Sequence, residues 1–351
     1  MSEPKPRVVI VGAGVIGLSV GLCLAKTLGN RVDVTIIADK FSQNGGITSN
    51  GAGAIFLPSG INYTTTTTNN KFLNDSLRWA KDTLKWLMEV YQSTARKNAG
   101  LTEIPFFHCY NEKHQMPWMK DMFADFKTLS SSEVKAVHLP SRLQTVYSYK
   151  SFCIIPTKYL HWLTQKFKEN GGLVVWQKIH SLDELKNYDV IVNCTGLGAR
   201  ELVGDTAVYP VRGQMVEVRG PCITQGVYNR EPDLSHVAYL VPRNGRIILG
   251  GTAQPRNWST QTDAATSDAI YEKCLELCPQ LEGAEVVDEW ACLRPVRDTV
   301  RLEIESESSP VIIHNYGHGG QGYIISWGCA LEVTDLVEKC LGGRIKPVAK
   351  L

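Results

Sequence analysis

Three glycines spaced Gly12-x-Gly14-x-x-Gly17 separate an apolar pentapeptide, Arg7 to Val11, from an apolar stretch that runs to Leu28. A second apolar run, Val32 to Ala38, ends on Asp39, 22 residues after Gly17. Strand, glycine turn, helix and strand in that order predict a parallel βαβ unit. In such a unit the first glycine makes the turn, the second admits a pyrophosphate and the third lets the helix pack on the strand. The helix N-terminus then faces the phosphates, and an acid at the tip of the second strand accepts a hydrogen bond from a ribose hydroxyl. The unit therefore predicts a bound dinucleotide, held by Gly12, Gly14, Val15, Ile16 and Gly17 at the turn and by Asp39 and Lys40 at the second strand's end.

Val8 to Ala25 is also eighteen uncharged residues behind Lys5 and Arg7, long enough to suggest a signal or membrane segment. The clustered glycines break the helix that a span requires, so no membrane association is expected. With 37 basic against 35 acidic residues and no basic stripe, nucleic acid is excluded as a main partner, and small molecules fit better. The ten cysteines lie mostly in apolar stretches without CxxC pairs, which points to buried reduced thiols and to no metal.

Along the chain, Gly45 to Gly60 reads as a loop, the threonine run 64–68 as a surface insertion, and Phe72 to Tyr91 as a long amphipathic helix. A helix near 157–169 leads to strands at 173–177 and 188–194. From 207 to 252 and from 285 to 303 the pattern alternates between turns, as in an antiparallel sheet. Strand, glycine loop and helix return over 310–339. The fold class is thus α/β, a Rossmann-type domain with an interleaved, mostly antiparallel second domain.

NAD and FAD share the first motif, and three further stretches favour FAD. Ser49, Asn50, Gly51, Ala52 and Gly53 are small enough to let backbone N–H groups approach an isoalloxazine edge. Cys194, Thr195, Gly196, Leu197 and Gly198 end a strand with small residues, as close approach to a cofactor requires. Gly317 to Gly322 open a helix whose positive end suits the negative charge of a reduced flavin; Gly319, Gly320, Gln321, Gly322, Tyr323 and Ile324 are its candidate contacts.

Taken in order, VVIVGAGVIGLS, SNGAGA, VNCTGLGAR, YPVRGQ, AYLVP, ILGGT, LRPVR, HNYGHGGQG and SWGCALE resemble the blocks of the D-amino-acid oxidase and D-aspartate oxidase family. The resemblance spans nearly the whole chain. It implies an FAD-binding domain from residues 1–60, 150–206 and 304–351, a substrate-binding domain from 61–149 and 207–303, and an active site between them. It also implies that Arg294 pairs bidentately with a substrate carboxylate, that Tyr239 hydrogen-bonds the same carboxylate, and that the Gly320 carbonyl holds the amino group. Arg212 and Arg297 are left as structural, and His314 and His318 as structural or loop residues. The mechanism implied needs no side-chain base: the clamped α-hydrogen passes as a hydride to flavin N5, oxygen is reduced to hydrogen peroxide, and the imine hydrolyses to a 2-oxo acid and ammonia.

In the D-aspartate branch a cationic residue follows the GGT block, where this chain has Ala253. Neutral D-amino acids are therefore favoured. Arg230 and Arg243 keep an acidic substrate open, and Ser235 stands where the neutral branch has a second tyrosine. D-aspartate oxidation is the first alternative, a related sarcosine or glycine oxidase another, and a non-catalytic flavin- or NAD-binding sensor one of a different class. The terminal Ala349-Lys350-Leu351 resembles a peroxisomal import signal, so the peroxisome matrix and its import receptor are the expected location and partner. Homo-oligomerisation stays open.

Overall fold

The computed structural model describes residues 4–42, 46–58, 70–115, 118–230, 236–306 and 309–342. The threonine run, Ser235 and the terminal tripeptide lie outside the described residues, as does the side chain of Arg230. The opening unit consists of β1 (Arg7–Val11), α1 (Val15–Leu28) and β2 (Asp33–Ala38), followed by α2 (Asn70–Gln92). Next come β3 (Leu101–Tyr110), β4 (Lys127–Thr128), α3 (Ser131–Ala136), β5 (Thr145–Ile154), α4 (Pro156–Glu169), β6 (Leu173–Trp176), β7 (Val190–Asn193) and α5 (Ala199–Leu202). The strands β8 (Tyr209–Arg219), β9 (Gly226–Arg230), β10 (His236–Arg243), β11 (Arg246–Thr252) and β12 (Gln254–Pro255) precede α6 (Ala264–Leu277), β13 (Glu285–Ser306), β14 (Val311–His318) and α7 (Gly322–Leu341).

Among the described residues the strands form one sheet in the order β4-β5-β3-β9-β10-β11-β8-β13-β14-β7-β1-β2-β6, with β12 on β8. From β14 to β6 the neighbours are parallel. From β10 to β14 they are antiparallel, and the parallel pair β3–β9 joins the outer antiparallel trio to them. Of the parallel strands, β1, β2 and β7 are buried almost throughout, Val190–Asn193 completely, while β6 at the edge is half-exposed. On one face α1 lies against α4 and α7, and α2 against α7, where Trp86 and Trp327 stack at 3.6 Å. The sequence expectation for the opening unit differs from the observed elements by a residue or so.

Two features go beyond that expectation. One is β3, paired with β5 on one side and β9 on the other although it carries Pro105. Helix α6 begins at Asp263, whose carboxylate accepts from the Thr266 N–H at 2.8 Å, and it covers β8, β10 and β11 with Ile270, Cys274 and Leu277. None of the ten cysteines is in a disulfide, and seven of them are buried. Among the described residues no helix is long and apolar enough to cross a membrane.

Candidate active site

Parallel strands bring their C-terminal ends to one edge, so the turns after β1, β2, β7 and β14 meet there and enclose a cavity of about 730 Å³. Gly12 has φ +111°, and a Cβ on it would lie 2.6 Å from the Cys194 carbonyl oxygen, so only glycine fits between the two turns. Helix α1 starts with no acidic residue in its first turn, and among the described residues its Val15 N–H donates to Ser49 Oγ at 3.1 Å. Helix α7, likewise without an acidic first turn, starts beside it: a Cβ on Gly322 would lie 3.4 Å from Val15 Cγ1. Two positive helix ends therefore border one cavity, which suits an elongated ligand carrying phosphates. Asp39 and Lys40 stand exposed at its lip. The side chain of Asn315, His318 Nε2 and Gln321 Oε1 have no partner among the described residues, leaving polar capacity on the cavity wall for a ligand. These features fit a dinucleotide such as FAD.

Of the anticipated contacts, Gly12, Gly14, Val15, Ile16, Asp39, Lys40, Ser49, Ala52, Gly53, Thr195, Gly196 and Gly319 to Ile324 line the cavity. Gly17 and Gly51 are not among its lining residues. A Cβ on Gly17 would collide with the Gly12 carbonyl, so its place is the helix–strand contact. Gly51 accepts from Trp290 Nε1 at 2.9 Å and packs under that ring.

Three arginines of the antiparallel strands have different surroundings. Arg212 is buried and saturated by neutral acceptors: Ser259 O at 3.0 Å, Gln254 Oε1 at 2.9 Å, Gln214 Oε1 at 2.6 Å and Gln261 O at 2.5 Å. Arg297 is paired with Asp205 at 3.1 Å. Burial works against that carboxylate's charge, but hydrogen bonds from Tyr316 and Ala207 and the Arg297 cation hold its pKa below the usual value. Arg294 donates to Thr252 O at 3.0 Å, lines the cavity and has no carboxylate partner among the described residues. Its guanidinium occupies the space that a side chain on Gly213 would fill.

Tyr239 lies on the same wall. Its ring fills the place of a side chain on Gly250, its cross-strand partner, and its hydroxyl lies 3.1 Å from where a Cβ on Gly53 would be. A Cβ on Gly320 would lie 3.6 Å from Arg294 Cδ, so the Arg294 side chain passes beside this glycine. The structure thus brings Arg294, Tyr239 and Gly320 to one end of one cavity. Arg243 is spent elsewhere, donating to the carbonyls of Ala52, at 3.1 Å, and Gly53.

His314 and His318 both lie on β14, in strand rather than loop conformation. Burial holds His318 neutral, its pKa lowered to about 3. No group of three His, Cys, Asp or Glu side chains able to hold a metal occurs among the described residues. Sequence reasoning missed the apolar part of the cavity lining, Ile55, Leu57, Phe106, Met215, Tyr228, Val237 and Val241. Tyr228 faces Tyr239 across the β9–β10 pair, and only knowledge of that pairing would have singled it out.

The model of the FAD dependent oxidoreductase family matches residues 7–336. The D-aspartate oxidase of Homo sapiens is 33% identical over 98% of this chain and 98% of its own. The D-amino-acid oxidase of Streptomyces coelicolor is 34% identical over 95% of this chain and 97% of its own. Among solved structures, glycine oxidase from Geobacillus kaustophilus shares the fold with a TM-score of 0.76 at 21% identity, covering 99% of this chain and 97% of its own.

Proposed function

The chain belongs to the FAD dependent oxidoreductase family, and from that premise we propose that it oxidises D-amino acids, those with uncharged side chains preferred. Overall, the D-amino acid, O2 and water become the 2-oxo acid, ammonia and hydrogen peroxide. FAD, when bound, supplies the acceptor for two electrons from the α-C–H bond. The remaining work falls to the chain's own groups.

The observation that carries the reading is Arg294. Of Arg212, Arg294 and Arg297 it alone lines the cavity, and no protein carboxylate neutralises it among the described residues. A planar guanidinium with free N–H groups beside a tyrosine is suited to a carboxylate. With the carboxylate there, the Gly320 carbonyl accepts from the substrate's ammonium group, and two fixed points set the direction of the third substituent, the α-hydrogen. The apolar wall of Phe106, Met215, Tyr228 and Val237 excludes water and receives the side chain. Ala253, also on the wall, adds no charge for a second carboxylate. The likeness to human D-aspartate oxidase favours a second reading, in which the preferred substrate is acidic.

A panel of D- and L-amino acids scored for hydrogen peroxide tests both. Turnover of D-alanine and larger apolar D-amino acids above D-aspartate is expected, with none of the L-forms. The Arg294→Ala variant should stay yellow and lose about a hundredfold or more in kcat/KM. Unchanged turnover in that variant would overturn the clamp, and a preference for D-aspartate would install the second reading. A yellow protein that no amino acid bleaches under anaerobic conditions would reduce the chain to a flavin-binding sensor.

A further inference from the structure

Thr195 lies on the cavity wall, and its orientation is imposed from behind. Both its N–H, at 3.2 Å, and its hydroxyl, at 2.7 Å, donate to Asn193 Oδ1. With Oδ1 so occupied, the carboxamide nitrogen of Asn193 points the other way, to His314 Nδ1 at 3.3 Å. An amide nitrogen only donates, so Nδ1 must accept and the ring proton belongs on Nε2. There Glu305 Oε2 lies 3.1 Å away, and a carboxylate favours that tautomer. Glu305 is held in turn by Arg301 at 3.1 Å.

The sheet register makes this row: His314 is the cross-strand partner of Asn193 on β7 and of Glu303 on β13. Asn193 and His314 are both 0% exposed, so no water competes for these bonds.

We propose that Asn193 and His314 are positioning residues for the FAD site, a row of hydrogen bonds that fixes Thr195 with its hydroxyl lone pairs available to the cofactor and comes apart when His314 is protonated. An imidazolium carries N–H on both nitrogens, so Nδ1–H would face the Asn193 amide N–H group, donor against donor. Turning the carboxamide over relieves that clash but sets its NH2 against the Thr195 N–H and makes the Thr195 hydroxyl its acceptor, which takes a lone pair from the cofactor. Either way the orientation that Asn193 imposes on Thr195 is lost, and FAD is held less tightly.

The groups facing the imidazole are Glu305, Glu303 and Arg301 from β13, Asn193 from β7 and Tyr316 on its own strand. Burial and Arg301 push its pKa below the ordinary 6.5, and the two glutamates oppose them. The row is therefore intact at neutral pH and is lost on the acid side.

The inference rests on the FAD site described above. Protein stripped of flavin is titrated with FAD between pH 8 and pH 5, with flavin fluorescence as the readout. The wild-type Kd should rise on acidification. His314→Phe should bind roughly tenfold more weakly at pH 8, the worth of one or two lost hydrogen bonds, with little pH dependence. Asn193→Asp should reverse the trend, since only an imidazolium donates at once to the new carboxylate from Nδ1 and to Glu305 from Nε2, so that this variant binds FAD better as pH falls. Parallel pH curves for the three proteins would overturn the proposal. Should neither variant fold, Thr195→Ser and Thr195→Val decide: serine should keep both affinity and pH dependence and valine lose both, and indifference to either overturns the row. Failure of the wild type to bind FAD at any pH would instead overturn the cofactor assignment.

Discussion

The two ends of the sheet meet the same cavity in different ways. At the parallel end, β1, β2, β7 and β14 are packed on both faces, and their turns reach the cavity mainly with backbone and small residues, Gly12, Gly14, Thr195, Gly196 and Gly319 among them. At the antiparallel end, β9, β10 and β13 reach it with large side chains, Tyr228, Tyr239 and Arg294, and the space of Tyr239 and Arg294 is made by Gly250 and Gly213. A long cofactor with phosphates is recognised by the shape of the chain and by helix ends, whereas a small zwitterion requires a cation and a hydroxyl at particular points. Substitutions at the two ends should therefore fail differently.

The largest effect is expected at the parallel end. Gly12→Val combines a φ of +111° with a Cβ 2.6 Å from the Cys194 carbonyl oxygen, and neither turn can retreat without opening the β1–β7 pair. The purified variant should lack flavin absorbance, or fail to accumulate folded, whereas Arg294→Ala should be fully yellow. A Gly12→Val protein that carries stoichiometric flavin would break the comparison.

Where the two ends join, a pH effect of intermediate size is expected. β14 is parallel to β7 on one side and antiparallel to β13 on the other, and His318 ends it. The pKa of His318 is lowered by burial from 6.5 to about 3, so the unfolded chain takes up a proton that the folded chain refuses. Its contribution to stability is complete above pH 6.5, declines as pH falls, and is gone below about 3. The slope for one such group is about 1.4 kcal/mol per pH unit, or about 2 kcal/mol between pH 6.5 and pH 5. His318→Asn should lose correspondingly less stability than wild type over that range, measured by urea unfolding. Equal losses would mean that the join is not strained by this histidine.

How much of this was legible in sequence follows the same division. At the parallel end, local pattern and local geometry coincide: three glycines at fixed spacing mark a turn that only glycine can make, and β1, α1 and β2 could be delimited to within a residue or so. At the antiparallel end the decisive facts are pairings. Arg212, Arg294 and Arg297 look alike in sequence, and their roles part because α6 and the segment before it supply Ser259, Gln261 and Asp263 around the Arg212 and Gln214 pair, while Asp205 reaches Arg297. The link from Asn193 to His314 spans 121 residues and exists only through register. The resemblance to a known family named Arg294 and Tyr239, and nothing in their neighbours along the chain would have done so.

Tyr239→Phe makes the smallest change and bears most directly on that division. The phenylalanine ring still fills the socket at Gly250 and Gly53, so packing and cofactor affinity should be unchanged. Only the hydroxyl is lost, and with it one hydrogen bond to a charged carboxylate, worth about 1.5 kcal/mol, so KM for a D-amino acid should rise roughly tenfold. The effect should be smaller than that of Arg294→Ala because the guanidinium still neutralises the carboxylate. A Tyr239→Phe protein with unaltered KM but weakened flavin binding would place this hydroxyl on the cofactor, and the antiparallel end would then share the task assigned above to the parallel one.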